Sequence, residues 1–187
     1  MMRTFLALEL DEPLRAALAV EQFLLPLPRR KPVENLHLTL SFLGEQPDPV
    51  LEAVHEALLS LRLSAFALTL AGFGLFGGDC PRALYAAAIP DAPLLRLQHK
   101  VEVIARRAGA VIEARRFIPH VTLGRFRPPG LDAAMRLERA VVDRAGFRAG
   151  PMEVRDFVLY RSILSHPSPR YEVLARYPLE SGSDART

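Results

Sequence analysis

The stretch Glu34-Asn35-Leu36-His37-Leu38-Thr39-Leu40-Ser41-Phe42-Leu43-Gly44-Glu45 contains a four-residue pattern, His37-Leu38-Thr39-Leu40. It returns 83 residues later as His120-Val121-Thr122-Leu123. Both copies sit in short apolar segments that read as β-strands. Side chains of a strand alternate between faces, so His37 and Thr39 point one way while Leu38 and Leu40 point the other. The same alternation separates His120 and Thr122 from Val121 and Leu123. Each strand therefore buries an aliphatic face and presents one imidazole and one hydroxyl opposite it. If two similar halves pack about a pseudo-two-fold axis, the polar pairs converge on one cleft.

The rest of the chain supplies those halves. Arg3 to Leu10 reads as a strand. Asp11 is an N-cap and Pro13 suits a first helical turn, with Leu14 and Leu18 at helical spacing through about Leu24. Pro26, Pro28 and Pro32 end that helix, and residues 35–43 form the strand of the first motif. A second helix opens at Pro47-Asp48-Pro49. Two strands, Phe66 to Phe76 and Ala83 to Ile89, follow as a hairpin with a longer loop.

A third helix, Leu94 to Ala108, stops at Gly109. Ala110 to Glu113 and Phe117 to Phe126 read as strands, Leu131 to Ala145 as a fourth helix, and Met152 to Leu164 with Tyr171 to Leu179 as a final strand pair. The expected fold is α+β and bilobal, with pseudo-two-fold duplicated antiparallel sheets, helices on the outer faces and a catalytic cleft between the lobes. Helices alternating with strands also permit a parallel α/β fold, against which the hairpin-like pairs argue. Residues 1–180 are expected to form a single bilobal domain and 181–187 a flexible tail.

Composition alone decides little about partners, since a GC-rich genome also writes arginine wherever a cation will do. Of 187 residues, 50% are hydrophobic and 24% charged, an ordinary globular balance. The start acquires acidic residues too quickly for a signal peptide, and no run approaches the length needed to span a membrane. Cys80 is the only cysteine, which excludes an internal disulfide or a thiolate metal cage. A cytoplasmic monomer is the expectation. Lysine occurs only at Lys31 and Lys100, and the arginine that replaces it elsewhere has a planar fork matching phosphate oxygens.

In these motifs and their surroundings the chain resembles the two-histidine (2H) phosphoesterase superfamily. Within it, the chain is similar to the RNA 2′,3′-cyclic phosphodiesterases historically called 2′-5′ RNA ligases. The likeness extends from Arg3–Leu10 through both motifs to Leu159-Tyr160-Arg161-Ser162 and Tyr171. It implies hydrolysis of RNA 2′,3′-cyclic phosphate ends to 2′-phosphates, without metal or other cofactor. It also implies His37 as general acid, His120 as general base, and Arg125 as a phosphate contact. The two half-sites look alike, so the residues themselves leave the order of acid and base open.

Ser41 departs from the family, in which lysine is common at that place, so another cation is expected to take over any hold on phosphate.

The chemistry suits the residues. An imidazole with an ordinary pKa near 6.5 can be neutral on one side of a cleft and protonated on the other. Thr39 and Thr122 can donate to non-bridging phosphate oxygens. Strict alternation turns Arg125 away from His120, but Gly124 allows a bulge that would return it. Phe42, Phe126 and Tyr85 could stack on a base, with core packing the competing role for Phe42 and Phe126. Arg29, Arg30, Lys31, Arg115 and Arg116 could form a positive rim for RNA.

His55 and His99 read as surface helix residues and His166 as part of a turn; no zinc spacing or Walker motif is present. Two other readings compete: 2′-5′ ligation of RNA ends at the same site, and a non-catalytic RNA or nucleotide binder. Retention of all four motif residues argues for an enzyme.

Overall fold

The computed structural model describes residues 1–166 and 168–181; of the tail expected to be flexible, all but Ser181 lies outside the described residues. Strand β1 (Met2–Glu9) leads into helix α1 (Glu12–Leu24), and a short 3-10 turn (Val33–Asn35) precedes β2 (His37–Gln46). Helix α2 (Asp48–Leu59) is followed by β3 (Phe66–Phe76), β4 (Ala83–Ala88), α3 (Ala92–Arg107) and β5 (His120–Arg125). Helix α4 (Leu131–Asp143) and strands β6 (Arg148–Val154), β7 (Asp156–Ile163) and β8 (Arg170–Pro178) complete the order. Helix starts follow the sequence signals. The Asp11 carboxylate accepts from the Leu14 N–H at 3.0 Å, and Asp91 does the same for Leu94 at 3.1 Å, each satisfying an otherwise orphaned donor.

The two expected sheets join edge to edge into one eight-stranded sheet, ordered β6-β3-β4-β5-β2-β1-β7-β8, whose ladders are all antiparallel. Strands β5 and β2 meet at its centre through the pair Leu38 and Val121. The halves are interleaved in sequence: β1, β2, β7 and β8 form one, and β3 to β6 the other. Leu6, Leu8, Leu38, Leu40, Val121, Leu123 and Leu159 face the helices, which contribute Leu14, Leu18, Val54, Leu58, Leu94, Leu97, Val101 and Leu137 to one apolar core. The alternate residues Phe5, Ala7, Val158 and Tyr160 form a second, smaller cluster on the opposite, helix-free face. Large aliphatic side chains leaving water contribute about 1.5–3 kcal/mol each, so the helix side fixes which face the histidines must take.

Three strand assignments differ from the sequence reading. Residues 110–113 are not a strand: the Val111 and Ile112 carbonyls accept from the Gln46 and Arg106 side chains instead of from a ladder. The second-motif strand starts at His120, because Pro119 has no N–H to donate. Met152 to Leu164 is two strands, and β6 begins at Arg148 against β3, in the other half of the sheet. Gly150 and Pro151 inside β6 hid it, since both weigh against a strand.

At Gly124 two segments of the chain pass in close contact. A Cβ there would lie 2.3 Å from the Arg29 carbonyl oxygen, whereas Gly130 and Gly146 have nothing within 4 Å. Gly124→Ala should therefore cost roughly 1–3 kcal/mol as overpacking does, while Gly146→Ala stays near neutral. Equilibrium urea unfolding of the two variants measures the difference.

Candidate active site

Because Leu38 pairs with Val121 in antiparallel sense, His37 comes alongside Thr122 and Thr39 alongside His120. The leucine and valine turn into the core, so both imidazole–hydroxyl pairs face the opposite, helix-free side. The four motif residues thus form one site, each histidine neighbouring the threonine of the other motif.

Both histidines are held the same way. His37 Nδ1 lies 2.9 Å from the Asn35 carbonyl oxygen, and His120 Nδ1 lies 2.6 Å from that of Ile118. A carbonyl only accepts, so each Nδ1 carries the proton. In the neutral ring each Nε2 is therefore the bare nitrogen.

Aromatic rings fix the imidazole planes. Phe5 stacks on His37 at 4.9 Å between centroids and Tyr171 meets it edge-on at 5.1 Å. Phe76 and Tyr85 meet His120 edge-on at 4.8 and 5.3 Å. Behind Phe5, Tyr160 stacks at 5.2 Å and donates its hydroxyl to Glu9, which is paired in turn with Arg176.

Bulges bring the next residues to the cleft. Opposite β4, Leu84 pairs with Gly124 but Tyr85 with Thr122, so Leu123 is an extra residue. The bulge returns Arg125 to the histidine side, where its charge opposes protonation of His37 and His120. Opposite β1, Leu6 pairs with Ser41 and Ala7 with Thr39, leaving Leu40 as the matching extra residue. Phe42 is thereby the counterpart of Arg125: it lies 5.9 Å from the Phe5 ring and is 54% exposed. Ser41 is buried.

Tyr85 stacks on Phe76 at 4.2 Å, across Gly74, where a Cβ would lie 2.4 Å from its hydroxyl oxygen. Of the candidates from the sequence, His37, Thr39, His120, Thr122, Arg125, Phe42 and Tyr85 lie on one face. Phe126 instead packs against the core. Of the other histidines, His55 is half-buried and its Nδ1 lies 2.9 Å from the Tyr177 hydroxyl, rather than in solvent. The basic rim is thinned by pairing: Arg115 binds Glu113 at 2.7 Å, and Arg30 lies over the Phe23 ring.

Sequence reasoning missed Phe5, Phe76, Tyr160 and Tyr171 as ring supports. Strand β1 is apolar on both faces, so its periodicity is silent, and only the repeat could have hinted that each histidine needs matching walls. It also placed Lys31 only among the possible rim cations, whereas Lys31 lies at the cleft with Nζ 5.5 Å from the Tyr171 ring centroid.

The electrostatics follow from this enclosure. Burial, helped by the Lys31 charge, pushes His37 down to about 3, against the pull of the Asn35 carbonyl. Burial lowers His120 too, with Arg125 and Lys31 adding to it. Burial beside Arg125 brings Lys31 down to about 7. The cleft is hostile to added positive charge and therefore receptive to an anion. Among the described residues, no group of three His, Cys, Asp or Glu could hold a metal ion, and no helix is long and apolar enough to cross a membrane.

A face built of two imidazole–hydroxyl pairs across a two-fold seam defines a two-histidine phosphoesterase. The chain belongs to the 2′-5′ RNA ligase superfamily, whose description matches residues 11–163. It is 35% identical over 156 residues to an RNA 2′,3′-cyclic phosphodiesterase of Aeropyrum pernix, covering 82% of this chain and 86% of that protein. The crystal structure of Escherichia coli LigT complexed with 3′-AMP superposes with a TM-score of 0.80 at 27% identity, over 95% of this chain and 98% of that one. That of TT0787 of Thermus thermophilus gives 0.78 at 30% identity, over 97% and 100%.

His37 is neutral in the folded chain until about pH 3, whereas an unfolded histidine takes its proton near 6.5. Between those values the unfolded state binds more protons, so this histidine's contribution to stability is complete above pH 6.5 and is lost as pH falls toward 3. His37→Asn should flatten the pH dependence of unfolding free energy between pH 6.5 and 4, measured by urea titration at each pH.

Proposed function

We propose that this chain is a metal-independent RNA 2′,3′-cyclic phosphodiesterase that leaves a 2′-phosphate, with residues 1–180 working as a single bilobal, monomeric unit. The observation that carries the reading is the matched pair of histidines, each with Nδ1–H on a backbone carbonyl and Nε2 left for chemistry. The names of relatives at 27–35% identity over most of the chain point the same way. One free cysteine, Cys80, is in keeping with work in the cytoplasm.

In the proposed reaction the cyclic phosphate lies over the central seam, with Thr39, Thr122 and Arg125 donating to its non-bridging oxygens. His120 Nε2 takes a proton from water as the water oxygen bonds to phosphorus. His37 Nε2–H gives its proton to the 3′ oxygen as the bond from phosphorus to that oxygen breaks. His120 ends protonated and His37 neutral, and exchange with solvent resets both.

The low pKa of His37 comes from burial and from the charges of Lys31 and Arg125. A phosphate anion offsets burial and the neighbouring charges, so His37 takes up its proton with the substrate. Once protonated, an imidazole in that setting is a strong acid toward the departing alkoxide. Phe42 and Tyr85 offer ring faces on either side for the nucleoside.

His37→Ala and His120→Ala should each reduce kcat/KM on 2′,3′-cyclic-phosphate RNA by about 10²–10⁴-fold with little change in folding, and EDTA should leave the wild type unaffected. Near-normal turnover in both variants would remove the basis of the reading. Sulfur in place of the 3′ oxygen leaves without a proton, so such a substrate should rescue His37→Ala and not His120→Ala; the reverse rescue exchanges the two roles. Product analysis with and without a 5′-hydroxyl RNA measures any competing 2′-5′ joining.

A further inference from the structure

The segment before the first motif crosses the second motif's strand and is fastened there at three points. The Lys31 N–H donates to the Leu123 carbonyl at 2.8 Å. The Gln22 side-chain amide donates at 2.8 Å both to that same carbonyl and to the carbonyl of Lys31. Gly124 has no Cβ to obstruct Arg29 as it passes. Leu123 is the bulge residue, so its carbonyl is taken out of the β4 ladder and needs other donors. Gln22 is 3% exposed, and its amide nitrogen makes both of these bonds; a buried amide so used fixes geometry.

What the fastening delivers to the cleft is the Lys31 ammonium. It lies over the Tyr171 ring, close enough for its charge to act on both His37 and His120, with Arg125 the other cation facing it. Among the described residues no carboxylate forms an ion pair with it. An enclosed cation without a counter-charge is costly unless an anion arrives.

We propose that Lys31 is a second fixed cation of the phosphate site, acting with Arg125, and that Gln22 is the positioning residue that holds it there. The inference rests on the phosphodiesterase reading above. The bulge that turns Arg125 inward and the bond that anchors Lys31 share the Leu123 carbonyl, so one buried amide sets both cations relative to the histidines.

The test uses the full chain and the variants Lys31→Met, Gln22→Met and their combination, assayed on a 2′,3′-cyclic-phosphate dinucleotide. Lys31→Met should lower kcat/KM about 10–100-fold, on the order of losing one charged donor to a transition-state oxygen. Gln22→Met should lower it about 5–20-fold, and the double variant should be no slower than Lys31→Met alone. Losses that multiply would make Gln22 a structural residue only. Activity of Lys31→Met within twofold of wild type would overturn the phosphate role.

A second measurement needs no substrate: NMR titration of the histidine ring protons. Removing the Lys31 charge should raise the pKa of both His37 and His120, and Gln22→Met should move them in the same direction. Unmoved histidines in Lys31→Met would remove Lys31 from the site even if Gln22→Met failed to fold. If the wild type itself leaves the dinucleotide uncut, the phosphodiesterase reading fails, whereas wild-type turnover with unchanged variants sinks the Lys31 proposal alone.

Discussion

The contact between Leu38 and Val121 governs everything placed on the other side of the sheet. Both side chains are fully buried among the helices, so neither strand can slip by one residue without turning an imidazole into the core and an aliphatic chain into water. A slip of that kind would cost several kcal/mol per strand by area alone. The antiparallel sense then dictates which threonine each histidine meets. The active-site arrangement is thus specified by apolar residues that never touch it. The catalytic face is cut free to carry polar and aromatic groups because the opposite face supplies the stability.

The fold gives the two half-sites the same devices: a carbonyl two residues back for each Nδ1, an aromatic pair around each ring, and a bulge after each threonine. The residues that occupy those devices then break the symmetry. After the bulges, one half presents Phe42 and the other Arg125. His37 is enclosed by Phe5 and Tyr171 with Tyr160 behind, whereas Phe76 and Tyr85 leave His120 more open. A duplicated scaffold therefore provides two equivalently held imidazoles, and unlike neighbours make them unlike in proton affinity.

The site was legible in the sequence to the extent that it repeats. His37, Thr39, His120 and Thr122 announce themselves by spacing and alternation, and Gly124 signalled the bulge that returns Arg125. What the sequence concealed is non-local. Strand β6 carries Gly150 and Pro151, which argue against a strand until β3 is seen beside it. Phe5 lies in a run that is apolar on both faces, so nothing marks it as a wall of the cleft. Lys31 follows two arginines in a proline-broken segment and looks solvated. Its place is decided by a hydrogen bond to a carbonyl 92 residues away, and by an amide on α1 that has no motif of its own.

The charges explain why these concealed residues matter to a proton-transfer site. Lys31 and Arg125 both disfavour protonation of the histidines, which in the proposed reaction keeps the Nε2 of His120 available as a base. The same cations attract the phosphate anion, and the anion's charge removes the penalty on protonating His37. In the proposed reaction, binding and proton uptake are therefore linked, because the anion that needs a general acid also favours protonation of His37. A cleft lined by carboxylates would hold His37 protonated at rest, but it would repel the phosphate and raise His120 as well. The cationic lining avoids both outcomes, at the cost of half-burying the Lys31 charge, and the bonds that anchor Lys31 to Leu123 and Gln22 hold it there.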